Sequence, residues 1–217
     1  MDQKTAQSTA DPIYEAVKAR IMMGKLAPGE PLRQDDIARV HGVSKIPVRE
    51  ALLRLESEGF VQFRKNRGAI VRGLSRDEAL HLMDIRVALE CKALEGAIPH
   101  MATSDLDLAK AIIEDYEHET TAESWSALNI RFHRALYAPC GNDILLQMIE
   151  DVRARMGPVL RLMVTETTGF ARPHEEHVAI LAACEAGNVE KSVELLRQHI
   201  ETTKKETGAR LRRQAAE

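Results

Sequence analysis

His177 lies ten residues before Gly187 and His199 twelve residues after it, and the segments on both sides of Gly187-Asn188 carry helical patterning. Two helices folded back at that turn, each rising about 1.5 Å per residue, bring the two imidazoles level with each other roughly 15–18 Å away. Asn129 and His133 stand four apart and so share one face of an earlier helix. Imidazoles and an amide oxygen gathered inside a helical domain can hold a metal ion or an anion. A single buried histidine is more often a hydrogen-bonded core residue, so only convergence of several gives the pattern meaning. His174, one turn before His177, competes for the role, although Pro173 places it at a helix start. His41, His81, His100 and His118 read as surface residues, and Trp125 as packing.

The elements that would position these side chains follow from periodicity and punctuation. Ser75-Arg76-Asp77-Glu78 is a capping box. It opens a helix carrying Leu82, Ile85, Leu89 and Ala93 at helical spacing and ending near Pro99. Further helices are predicted over 105–119, 123–138, 143–165, 174–186 and 188–210. Breaks at Thr103-Ser104, Thr120-Thr121, Cys140-Gly141-Asn142, Thr168-Gly169 and Gly187-Asn188 separate them. No strand pattern follows Val71, so residues 74–212 predict an antiparallel all-α bundle able to host an interior site.

Residues 12–73 read differently. Asp11-Pro12 starts a helix, with Asp as cap and Pro in the first position, and Ile13, Ala16, Val17 and Ile21 form its apolar stripe up to Gly24. Lys25 to Pro31 is expected to be loop. A short helix from Gln34 to His41 stops at Gly42, and Ser44 caps a longer one reaching Glu58. Strands at Phe60–Phe63 and Ala69–Val71 flank the turn Arg64-Lys65-Asn66-Arg67-Gly68. This order of elements is a winged helix-turn-helix. Val48, Ala51, Leu52 and Leu55 form the buried stripe of its third helix, with Lys45 and Arg49 on the other side near its N-terminus. That end of a recognition helix enters the major groove, where Arg49 suits guanine. Ser44 and the free N–H groups of the first turn suit a phosphate, and Arg67 on the wing suits a phosphate backbone or the minor groove.

Charge supports the division. Residues 1–73 carry a net +4 and residues 74–217 a net −7, so a nucleic-acid partner is expected for the first part alone. No apolar stretch approaches the roughly 20 residues needed to span a bilayer, so no membrane partner is expected. The N-terminus lacks signal-peptide layout, and residues 1–11 are expected to form a polar, disordered tail. Cys91, Cys140 and Cys184 form no CxxC pair, which predicts reduced thiols in a cytoplasmic protein.

Two resemblances sharpen this reading. Gly42-Val43-Ser44-Lys45-Ile46-Pro47-Val48-Arg49-Glu50-Ala51-Leu52, with Leu55 to Val61 and the loop Leu26 to Glu30, resembles the DNA-binding signature of GntR-family bacterial regulators. The resemblance implies operator contacts from Ser44, Lys45, Arg49 and the wing Gly68. Lys45 stands where Arg is usual, keeping the charge but losing the fork geometry. Asp35 stands where an Arg often touches DNA, and Arg33 nearby is the expected substitute. Asn129 to Tyr137, Gly141-Asn142, Glu176 to Ile180, Ala186 to Asn188 and Arg197 to Ile200 resemble the FCD effector domain of the FadR-type branch. Arg86 with Leu89-Glu90 resembles that domain's opening motif. Together the two span nearly all of residues 12–210.

The second resemblance implies a divalent metal held by Asn129, His133, His177 and His199. Asn129 replaces the commoner Asp and removes one negative charge. Three imidazoles and one oxygen suit Zn²⁺, Ni²⁺ or Mn²⁺/Fe²⁺. An octahedral shell leaves two positions for water or a small carboxylate effector, which Arg86 would pair with. The expected protein is a homodimeric, ligand-responsive transcriptional regulator of operator DNA, a repressor rather than an activator. Two alternatives are a metal-dependent hydrolase using Glu90 or Glu176 as base, neither in HExxH-like spacing, and the same regulator with a metal-free anion pocket.

Overall fold

The computed structural model describes residues 9–65, 68–116, 119, 121–163 and 169–214. Residues 1–8 of the expected tail, and also Arg67 and His118, lie outside them. The chain divides into two compact units, Met1–Leu74 and Ser75–Glu217.

The first unit is a winged helix-turn-helix built from α1 (Ala10–Met22), β1 (Pro31–Leu32), α2 (Gln34–His41), α3 (Lys45–Ser57), β2 (Val61–Arg64) and β3 (Gly68–Val71). Gly42 takes a left-handed φ of 64°, which lets α2 stop sharply before α3 begins. Helix α3 packs on α1, α2 and β2, burying Val48, Ala51, Leu52 and Leu55 against Ile13, Tyr14, Val17 and Ile21. Tyr14 Oη donates to Glu58 Oε2 at 2.7 Å, and the Arg54 guanidinium lies 3.8 Å from the Tyr14 ring centroid. Helix α1 begins one residue before Asp11, whose carboxylate accepts from Arg54 Nη1 at 3.2 Å instead of capping.

The loop expected over 25–31 ends in a strand. Sheet order is β1-β3-β2, antiparallel throughout, with Pro31 opposite Ile70 and Val61 opposite Val71. The Gly29 amide donates to the Val71 carbonyl, and the Val71 amide to the Glu30 carbonyl, both at 2.9 Å. Two residues are too few to show alternation, and Pro31 is tolerated because β1 is an edge.

The second unit holds α4 (Arg76–Ala97), α5 (Thr103–Tyr116), α6 (Ala122–Tyr137), α7 (Asp143–Met163), α8 (Ala171–Glu185) and α9 (Val189–Gln214). Among its described residues there is no strand. Both capping-box bonds at Ser75 and Glu78 form. Helix α4 packs against α6, α7 and α9, while α5 lies on α6 and α8. Its buried face carries Leu82, Met83, Arg86, Glu90, Ala93 and Leu94, and Ile85, expected inside, is exposed. Helix α8 starts three residues earlier than expected, so Pro173 falls in its first turn, where a missing N–H costs little. The α8–α9 turn closes as the spacing predicts: Gly187 has φ 64°, the Asn188 amide donates to the Ala183 carbonyl at 3.0 Å, and Asn188 Oδ1 accepts from the Lys191 amide at 3.0 Å. Cys91, Cys140 and Cys184 are free thiols. Among the described residues, no helix is long and apolar enough to cross a membrane.

Leu52 is fully buried at the centre of the first unit. Leu52→Ala is expected to cost the winged unit about 2–5 kcal/mol, read as a lowered urea midpoint of the full chain. A shift equivalent to less than 1 kcal/mol would contradict this packing.

Candidate metal centre and nucleic-acid interface

Helices α6, α8 and α9 each deliver one imidazole to the same interior point. The His133–His177, His177–His199 and His133–His199 ring centroids are 5.0, 4.8 and 5.4 Å apart. One ligating atom from each lies within 4.8 Å of the others, and all three residues are buried. The hairpin at Gly187 sets His177 beside His199, and α6 supplies His133. Asn129 sits half-buried one turn before His133 on α6. His174 is half-buried, with its ring 5.9 Å from Tyr116.

The hydrogen bonds behind the imidazoles fix which nitrogen faces inward. Tyr137 Oη donates to Glu90 Oε2 at 2.7 Å, so it accepts from His133 Nδ1 at 2.9 Å. Glu176 Oε2 accepts from His199 Nδ1 at 2.6 Å. Both rings are thereby assigned the Nδ1–H tautomer, leaving Nε2 a lone-pair donor. His133 Nε2 and both nitrogens of His177 are buried with no hydrogen-bond partner. Buried polar atoms are rarely left unpaired, so this donor set suits an ion that accepts lone pairs.

Glu90, wholly buried, anchors the network. It accepts from Arg86 Nε at 2.6 Å and from Arg153 Nη1 at 2.9 Å. Burial alone would favour the neutral acid; the two guanidiniums, with hydrogen bonds from Arg86 and Tyr137, overcome it and lower its pKa to about 2. Burial first, then Glu90, pushes the Tyr137 hydroxyl well above its ordinary range. Glu176 is bound by Arg172 Nη1 at 2.5 Å as well as by His199. Both carboxylates suggested as bases are thus engaged in holding their neighbours.

Arg86, expected at an effector carboxylate, turns its Nε to Glu90. Arg153 was missed by sequence reasoning, and its Nη2 is buried without a partner. Its signal was available: Ile149, Arg153 and Met156 recur at helical spacing and all are buried, so an arginine occupies a core position of α7.

On the first unit, Ser44, Lys45 and Arg49 are exposed around the start of α3. Ser44 occupies the cap position with no side-chain cap bond. Lys45 Nζ lies 2.6 Å from Asp35 Oδ1. Arg33, at the start of α2, and Gly68, with φ 68° at the wing, are exposed too. Arg67 lies outside the described residues. Ile46, which sequence reasoning passed over, is 70% exposed beside Lys45, an apolar contact of the kind that meets a thymine methyl.

Comparison with known proteins returns matches over both units. Residues 9–71 match the signature of bacterial regulatory proteins of the gntR family, and residues 81–202 match the FCD domain. The chain is 31% identical over 200 residues to the HTH-type transcriptional repressor GlaR of Escherichia coli K12, spanning 87% of this chain and 91% of that protein. The E. coli McbR/YncC structure superposes with a TM-score of 0.80 at 26% identity, covering 96% of this chain and 99% of that one. A GntR-family transcriptional regulator from Pseudomonas syringae pv. tomato DC3000 is 31% identical with a TM-score of 0.60, covering 99% of this chain and 91% of that one.

Burial, then Arg153 for His133 and His199 for His177, holds both histidines neutral well below their ordinary range in the folded chain. Once unfolded, the same groups take up protons below about pH 6.5, so the unfolded state binds more protons and stability falls on acidification. For chelator-treated protein we expect a loss of up to about 2.7 kcal/mol per pH unit from the pair below about pH 6.5. Urea midpoints measured on either side of that pH test this, and an unchanged midpoint would contradict the neutral, buried assignment.

Proposed function

The chain belongs to the gntR family of bacterial regulatory proteins and carries an FCD domain, and from that premise we propose that it is a metal-dependent, effector-responsive repressor acting as a homodimer in the cytoplasm. It is a transcriptional regulator, not an enzyme. The observation that carries the sensing half is the inward convergence of His133, His177 and His199 with unpartnered lone-pair donors. These three, with Asn129 as an oxygen ligand one turn away, would hold a divalent ion such as Zn²⁺, Ni²⁺ or Mn²⁺/Fe²⁺. When bound, the ion supplies a Lewis-acid anchor for an oxygen of a small carboxylate.

This chain's own residues do the rest. Tyr137 and Glu176 hold the imidazoles in the ligating tautomer, and Glu90 holds Tyr137. Arg153, rather than Arg86, offers a free guanidinium nitrogen to the effector. In the first unit, Arg49 reads bases from the major groove, Lys45, Ser44 and Arg33 meet the backbone, and the wing at Arg67-Gly68 follows it. Two such units related by two-fold symmetry match a palindromic operator. Exposed Ile144 and Met148, one turn apart on α7, support a covered face of the kind a homodimer supplies. The repressor named among its relatives supports the sign of regulation. Effector binding shifts operator affinity to the extent that it favours one arrangement of the wings over another.

The test uses operator DNA selected from a random pool and fluorescence anisotropy. Arg49→Ala is expected to cost about 1–3 kcal/mol and relax preference at one base pair, whereas Lys45→Gln should weaken all sequences alike and flatten the salt slope by about one. His177→Ala should lose the bound metal and the response to carboxylates while still binding operator. No sequence-specific binding at moderate salt would overturn the regulator reading, and full effector response after chelation would overturn its metal half.

A further inference from the structure

Beyond the triad, the interior of the second unit holds an excess of positive charge and of hydrogen-bond donors. Among the described residues, the buried arginine and carboxylate side chains are Arg86, Arg153 and Glu90. One carboxylate therefore faces two guanidiniums, before any divalent ion adds its own charge. Buried charge is tolerated only where it is paired, so the site calls for an anion bearing more than one negative charge.

The unpaired polar atoms point the same way. Arg153 Nη2 and Trp125 Nε1 are buried without partners on residues 6% and 3% exposed, and both can only donate. Tyr116 Oη is buried and unpartnered as well. The Tyr116 and Trp125 rings lie 5.6 and 6.2 Å from His177 and 5.4 Å from each other. Arg153 on α7 is linked to the triad through Glu90 Oε2, which it shares with Tyr137, the partner of His133. The aromatic rings, by contrast, have neighbours of their own. Trp125 stacks on Phe170 at 5.8 Å, and Phe132 lies 4.7 Å from His177. These rings pack against one another, whereas an oxygen-rich group finds three idle donors.

Building on the carboxylate-sensing reading above, we infer that the effector is a dicarboxylate: one carboxylate is taken at the imidazole triad, and the second is received by Arg153 Nη2, Trp125 Nε1 and Tyr116 Oη.

The test is calorimetric titration of the intact, zinc-loaded protein with acids matched in carbon number: succinate against butyrate, and adipate against hexanoate, with methyl phosphate as a non-carboxylate dianion. At least one diacid should bind its site about tenfold or more tighter than its monoacid, the worth of one set of charge-assisted hydrogen bonds. Trp125→Phe, which keeps a ring but removes the N–H, should narrow that ratio several-fold. Arg153→Lys, which keeps a charge for Glu90 but not the second nitrogen, should collapse it. Equal binding of diacids and monoacids overturns the inference and leaves carboxylate sensing standing, as does a diacid preference unmoved by both substitutions. Tighter binding of methyl phosphate overturns the choice of carboxylate. Binding of none of these ligands overturns the inference and the sensing reading together.

Discussion

The second unit depends on a carboxylate with no access to water. Glu90 on α4 pairs with Arg86 from its own helix and with Arg153 from α7, and through Tyr137 it fixes the face that His133 turns inward. Removing one partner from such a set leaves an uncompensated buried charge, a loss of about 3–5 kcal/mol. The network is therefore structural and functional at once. It ties α4, α6 and α7 together, and it leaves one lone pair aimed at the centre of the bundle.

Glu176 does the corresponding work on the opposite side. It sits one residue before His177 on α8 yet bonds to His199 on α9, so the α8–α9 hairpin is held by the same contact that orients an imidazole. Arg172 ties Glu176 to Glu206 and extends that hold along α9. His177 lacks an equivalent partner and is positioned by packing among Phe132, Tyr116 and Trp125. Two of the three imidazoles are thus hydrogen-bonded from behind, and the third is held by ring contacts.

Much of this was legible in the sequence, and what was missed has physical causes. The similar spacing of His177 and His199 about Gly187, ten residues before it and twelve after, predicted their juxtaposition because a helix has a fixed rise and a glycine at positive φ makes the turn short. The winged module was readable from its apolar stripe on α3 and its glycine stops. Strand β1 was not, since two residues on an edge leave no periodic trace. Nor was the interior of α4 fully read: Ile85 was expected inside and Arg86 at a ligand. A charged pair at i and i+4 can occupy a core face once a third charge from α7 joins it, and that joining is a tertiary fact. Arg153 was hidden for the same reason, an arginine in an apolar stripe whose partner lies 63 residues away.

X-ray absorption spectroscopy of the zinc-loaded, tag-free protein would examine the imidazole cage most directly. The account predicts one ion per chain with about three imidazole nitrogens at roughly 2.0–2.1 Å and oxygens completing the shell. A shell of sulfur or carboxylate ligands without imidazole, or a protein that retains no metal, would contradict it.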